Sequence, residues 1–255
     1  MKRIAFVEKG VAVCYDAEEK MPGPGEVRVK MKYTAISAGT ERALLIGDEN
    51  VRGSRKEGAA PFPRFSGYSG SGLVDCLGEG VTDLRVNDRV ITYWGLHQQY
   101  NTLPRANVVK IDSDAVRLLD AAFIFISTFS LAAIRKTRIE LGESCMVVGL
   151  GLLGLFSVQF ARLAGALPIL VVDYREERRA MAAKLGADIA LSPAVSLKVH
   201  PAKAQMRSSK SPEAPLRSTA PCFAHQNSRG FHCWDVPERP QRWIFTMTYT
   251  IRASP

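Results

Sequence analysis

The residues of this chain best suited to chemistry are six in a row, Gly149-Leu150-Gly151-Leu152-Leu153-Gly154. A Gly-x-Gly-x-x-Gly run between a strand and a helix suits a pyrophosphate. The first glycine permits a tight turn, the second lets the backbone approach the phosphates, and the third lets helix and strand pack closely. The N–H groups that open the helix, from Leu152 and Leu153 onward, then face the phosphate charge. Asp173 lies 19 positions after Gly154, where a carboxylate can accept bonds from an adenosine ribose. It would repel a 2′-phosphate, so the expected cofactor is NAD. Tyr174 follows it, and Arg175 is close enough to keep NADP as a possible cofactor.

These residues need a frame. Ser144-Cys145-Met146-Val147-Val148 reads as a short apolar strand that runs straight into the turn. A helix is expected over Leu155 to Gly165 and a second strand over Pro168 to Val172, ending at Asp173. A second helix, Glu176 to Leu185, stops at Gly186, a helix C-cap residue. A third strand should begin after Ala187 to Ala190. The first 115 residues differ: β-rich runs at 26–33, 72–77 and 88–93 are separated by Gly, Pro and Asp turns, which points to a β-rich domain. The apolar stretch Ala121 to Ile134 is too short for a membrane span and reads as a buried helix, or a helix plus strand.

The motifs stand in a familiar order. Pro22-Gly23-Pro24-Gly25-Glu26-Val27, then Ile36-Ser37-Ala38-Gly39-Thr40-Glu41, then Val81 to Val90, then the glycine turn, resemble the medium-chain dehydrogenase/reductase superfamily, the relatives of zinc-type alcohol dehydrogenases. The resemblance covers about residues 1–190. It implies a GroES-like catalytic domain over 1–120 and a Rossmann NAD(P)-binding domain over 121–190, here partial because the pattern stops after residue 190. It also implies hydride transfer on an alcohol/carbonyl pair or an activated double bond. Family members are often homo-oligomeric.

Zinc members of that superfamily hold a Cys where this chain has Ala38 and a His-Glu pair where it has Tyr68-Ser69, and their third ligand falls near Ile124. A catalytic zinc needs three protein ligands of the thiolate, imidazole or carboxylate kind, so no zinc is expected. Three residues are then candidates for the remaining chemistry. Thr40 matches the family hydroxyl that relays a proton, or else caps the helix that starts at Glu41. Tyr68 sits at the lost His position, where its phenol would polarise a carbonyl or simply fill the vacated space. Thr128 precedes Gly149 at family-like spacing beside the nicotinamide, or is bonded to its own helix. His97 reads as structural.

The chain has 255 residues, a net charge of +9 and five scattered cysteines, which suggests a reduced, cytoplasmic setting. The basic excess is concentrated in residues 191–255, where nine Lys/Arg meet three Asp/Glu, eight of the 14 prolines and two of the three tryptophans. Composition like this does not readily bury enough apolar surface to offset ordering entropy. The expectation is an aberrant or disordered tail, the product of a frameshift or mispredicted exon, or else an ordinary extension. Cys222, His225, His232 and Cys233 in it fit no common zinc spacing. Few aromatics interleave with its basic residues, so the expected partner is a small-molecule substrate, not nucleic acid or membrane. The alternatives left open are a truncated, non-catalytic relic with weak dinucleotide binding and, last, nucleic-acid binding through the tail.

Overall fold

The computed structural model describes residues 1–48 and 61–193, together with three short strands at 225–227, 230–232 and 241–245. It divides into two compact units, Met1–Thr128 and Phe129–Pro255.

The first unit is β-rich, as expected. β1 (Lys2–Glu8) and β2 (Val11–Asp16) form a hairpin. β3 (Glu26–Thr34), β4 (Ser69–Leu77), β5 (Arg89–Tyr93), β6 (Tyr100–Pro104) and β7 (Val108–Lys110) form one antiparallel sheet in the order β6-β3-β4-β5-β7. The period of two is visible in β3: Val27 and Val29 are fully buried, and they pack with Val74, Leu84, Val90, Leu103 and Val108 in one core. Helix α1 (Ala38–Ile46) follows β3, and α2 (Leu118–Ala121) leads into α3 (Ile124–Thr137). The apolar stretch from Ala121 is therefore helical, with no strand in it.

The second unit is α/β. β8 (Ser144–Val148), α4 (Leu152–Leu163), β9 (Ile169–Val172), α5 (Glu176–Lys184) and β10 (Ile189–Leu191) alternate as expected. Val147, Val158, Ala161, Ile169, Val171 and Ala182 are fully buried, the pattern of a parallel sheet covered by helices. Helix α4 starts three residues earlier than the sequence pattern suggested, because Gly154 lies inside its first turn.

Two further short strands, β11 (His225–Asn227) and β12 (Gly230–His232), pair antiparallel, with His225 opposite His232. Cys222 and Cys233 lie outside the described residues. β13 (Gln241–Phe245) pairs parallel to β8, so the sheet runs β10-β9-β8-β13. The sequence had shown two strands and the start of a third; the fourth comes from the one segment after residue 191 with a strand-like apolar run. It satisfies a β8 edge that would otherwise leave backbone groups unpaired. Other parts of the expected tail lie outside the described residues. No helix among the described residues is long and apolar enough to cross a membrane.

Candidate functional site

The glycine turn has the geometry its residues implied. Gly149 has φ +87°, in the left-handed region open to glycine, and its N–H donates to Val172 O at 2.8 Å, tying the turn to the end of β9. Gly151 occupies the cap position of α4, and the helical ladder begins with Leu155 N–H donating to Gly151 O at 3.0 Å. The N–H groups of Leu152, Leu153 and Gly154 precede that first bond, the position from which a helix start meets an anion. Gly154 is buried, consistent with close packing of helix on strand.

Asp173 is at the end of β9 and buried. Its role is larger than the ribose contact inferred from sequence. Oδ2 accepts the Leu150 N–H at 2.7 Å, and Oδ1 accepts the Arg175 N–H at 2.8 Å. The Arg178 guanidinium stands 3.7 Å from Oδ2, and Arg179 Nη1 donates to the Asp173 and Tyr174 carbonyls. The carboxylate thus braces the glycine turn from within. Each oxygen has a second lone pair for a ribose hydroxyl. Tyr174 is strongly exposed. The residues present fit a dinucleotide: a left-handed glycine, an open helix start and an acid at the strand end.

In the first unit Tyr68 is joined to a residue that sequence reasoning passed over. Its O–H donates to Ser37 Oγ at 2.6 Å. The Tyr68 ring lies 6.0 Å from Trp94 and 5.8 Å from Phe125, while Phe125 lies 5.4 Å from Trp94 and stacks on Tyr93 at 5.1 Å. Ser37 is the cap position of α1, and its N–H donates to Glu41 Oε1 at 2.8 Å. Thr40 is therefore not the cap: α1 begins at Ala38, and Thr40 is an exposed residue of its first turn. Thr128 is exposed and donates to Phe125 O at 2.6 Å, the bond to its own helix that the sequence left as one option.

Behind Ser37 stands a buried polar network. Glu41 and His97 are both buried. His97 Nε2 donates to Glu41 Oε2 at 2.8 Å, Nδ1 pairs with Thr34 Oγ1 at 2.8 Å, and Ser66 Oγ donates to Glu41 Oε2 at 3.3 Å. Burial works to raise the Glu41 carboxyl, but the bonds from His97, the Ser37 N–H and Ser66 outweigh it and hold it below the usual glutamate range. Gly67, with φ +103°, passes so close that a Cβ there would lie 2.6 Å from the His97 backbone nitrogen. His97 is buried and bonded at both ring nitrogens, and its partner Glu41 sits four residues from the hydroxyl that Tyr68 bonds.

Of the positions where the sequence reading expected zinc ligands to be missing, Ala38 and Ile124 are exposed, and Tyr68 is bonded to Ser37. Among the described residues no three His, Cys, Asp or Glu side chains come together as a metal cluster.

No family model matches the chain. A curated relative, L-threonine 3-dehydrogenase of Francisella tularensis, is 26% identical over 223 residues, covering 75% of this chain and 61% of its own length. The chain thus spans about three fifths of the length of the curated relatives it matches. Two solved structures share the fold. A putative zinc-binding dehydrogenase from Sinorhizobium meliloti, bound to NADP, matches with a TM-score of 0.66 at 23% identity over 76% of this chain and 62% of its own. An Escherichia coli short chain alcohol dehydrogenase, complexed with NADH, matches with a TM-score of 0.66 at 24% identity over 76% and 63%. The homologues and structural neighbours are zinc-binding or medium-chain alcohol dehydrogenase-like proteins, so the resemblance read from the sequence is borne out. So is the architecture of a GroES-like antiparallel sheet followed by a Rossmann-like parallel sheet.

Proposed function

We propose that the chain is a zinc-independent, NAD(P)-dependent oxidoreductase that transfers hydride on an alcohol/carbonyl pair or an activated double bond. One observation carries this reading: the Gly149–Gly154 turn opens α4 toward an anion while Asp173, at the end of the next strand, locks that turn through Leu150. The same strand, turn, helix, strand and acid succession holds dinucleotides in open α/β sheets. A bound dihydronicotinamide would supply the hydride. Gly149, Gly151, Leu152, Leu153 and Gly154 would hold its pyrophosphate, and Asp173 its adenosine ribose. Asp173 favours NAD, and Arg175 and Arg178 leave room for NADP. Tyr68, through its bond to Ser37, supplies the proton at the substrate oxygen; Thr40 and Thr128 are the remaining proposed contacts.

Independence from zinc rests on Ala38, Tyr68 and Ile124, which cannot replace a thiolate and imidazole. The partner proposed is a small molecule in the cytoplasm, not nucleic acid or a membrane. The test is to titrate NADH into the purified full-length chain and follow cofactor fluorescence. Saturable binding that survives a chelator supports the proposal. Binding abolished by the chelator and restored by zinc removes its metal-free part. Absence of saturable binding removes the whole.

A further inference from the structure

In the second unit the last turns of α3 and α4 border an open groove of about 580 Å³. Its floor is the buried side chain of Ile134, and Ile139 and Phe160 flank it, packed on the same core. Its rim carries Leu163, which is 82% exposed. A single exposed leucine needs no explanation; one that continues a recessed apolar trough does. Arg135 and Arg138 line the same groove and are both exposed. Among the described residues neither guanidinium is ion-paired, and the nearby Glu143 carboxylate accepts the Glu140 N–H instead. Two like charges three residues apart repel. The negative end of α3 accounts for a cation at Arg135. It does not account for Arg138, which follows the helix at φ +50°, where Gly or Asn ordinarily stands. The fold therefore leaves unexplained why a cation is held over this trough.

We propose that this groove binds a long-chain carboxylate, the acyl chain lying along Ile134, Ile139, Phe160 and Leu163 and the head group on Arg135 and Arg138. The guanidinium fork matches the two oxygens of a carboxylate. Each methylene taken out of water adds to affinity, so the trough selects for chain length while the arginines select for charge. A neutral alcohol of the same length meets only the walls, and acetate meets only the arginines. A bilayer is a poorer match, because Ile134, Ile139 and Phe160 are recessed between helices instead of standing out from them. A second copy would bring its own net charge of +9 against the two arginines. The groove lies at the end of α4 opposite the glycine turn, so this site does not depend on the oxidoreductase reading.

The experiment titrates the full-length chain with cis-parinaric acid, a long-chain carboxylate whose fluorescence rises as it leaves water, below its micelle concentration. Palmitate, hexadecanol and acetate compete. The variants are Arg135→Gln combined with Arg138→Asn, which suits a left-handed backbone, Arg135→Lys, which keeps the charge, and Leu163→Ser; all three positions are exposed, so the fold should tolerate them. The expected result is saturable binding to wild type and Arg135→Lys, displaced by palmitate and not by acetate. The Gln/Asn pair should weaken it by about tenfold or more, and hexadecanol should compete about tenfold less well than palmitate. Leu163→Ser should weaken both long chains. No saturable binding, equal binding to the Gln/Asn pair, equal competition by hexadecanol, or an unaltered Leu163→Ser overturns the site. Two further results overturn it in favour of another occupant. Co-sedimentation with phosphatidylcholine/phosphatidylglycerol vesicles and no parinarate binding assigns the groove to a bilayer. A dimer in solution that Leu163→Ser dissociates, with no parinarate binding, assigns it to a second copy.

Discussion

Asp173 offers the sharpest test of how the glycine turn is built. Replacing it with Ala removes the acceptor for the Leu150 N–H at 2.7 Å and the Arg175 N–H at 2.8 Å. Leu150 is fully buried, so water cannot readily reach its N–H; Arg175 is exposed and partly recovers its bond from solvent. An unsatisfied buried donor costs about 1–3 kcal/mol, and a bond to an ionised acceptor is at the strong end of the range. The expected loss for Asp173→Ala is therefore about 2–4 kcal/mol, most of it at Leu150. Asp173→Asn keeps one carbonyl acceptor but turns an NH2 toward the other donor, so about half that loss is expected. The assay is urea unfolding of full-length wild type and both variants, read by far-ultraviolet circular dichroism, with NADH titrated on the folded samples. The expected order of stability is wild type, Asn, Ala. An Asp173→Ala midpoint within about 0.5 kcal/mol of wild type would refute the claim that this carboxylate holds the turn, leaving it only a ribose contact.

Three further outcomes follow from the buried groups. Because the Glu41 carboxyl is held below its ordinary value, its stabilising contribution is complete above the unfolded value of about 4.3 and is lost as pH falls through the folded value. Wild type should lose stability across that acid window, and Glu41→Gln should be less stable at neutral pH with a flatter acid limb in pH-dependent urea midpoints. Burial pushes the Cys145 thiol up to about 12, so at pH 8 it should resist Ellman's reagent in the folded chain while exposed Cys14 reacts, both reacting in denaturant. Gly67→Ala forces a Cβ to within 2.6 Å of the His97 backbone nitrogen at a positive φ. A loss of about 1–3 kcal/mol is expected from the backbone alone, and an unchanged thermal midpoint would count against the packing described around His97.

The legible parts of this chain were those whose signal is local. β8, the glycine turn, β9, α5 and the acid at Asp173 are contiguous, and each declares itself within a few residues through apolar runs, glycines and caps. The start of α4 was misplaced because the third glycine, a poor helix former, disguised the first turn. The cap reading held beside the relay role of Thr40 failed for a similar reason: Thr suits that position, and the weaker-looking Ser37-Ala38-Gly39 hid the true start. β13 follows a Pro- and Arg-rich stretch, and a strand of five residues is stabilised by the neighbour it pairs with more than by its own composition.

What the sequence determined by itself was the alternation of strands and helices around the glycine turn and the β-rich character of the first unit. Those are matters of residue type and spacing along the chain. What the tertiary structure decided was which side chains meet. Tyr68 found Ser37, 31 residues away; His97 found Glu41, 56 residues away; and Asp173 turned back to Leu150. Antiparallel pairing in the first unit and parallel pairing in the second bring distant residues to one place. A hydrogen bond formed there depends on the register of strands, which no short stretch of sequence records.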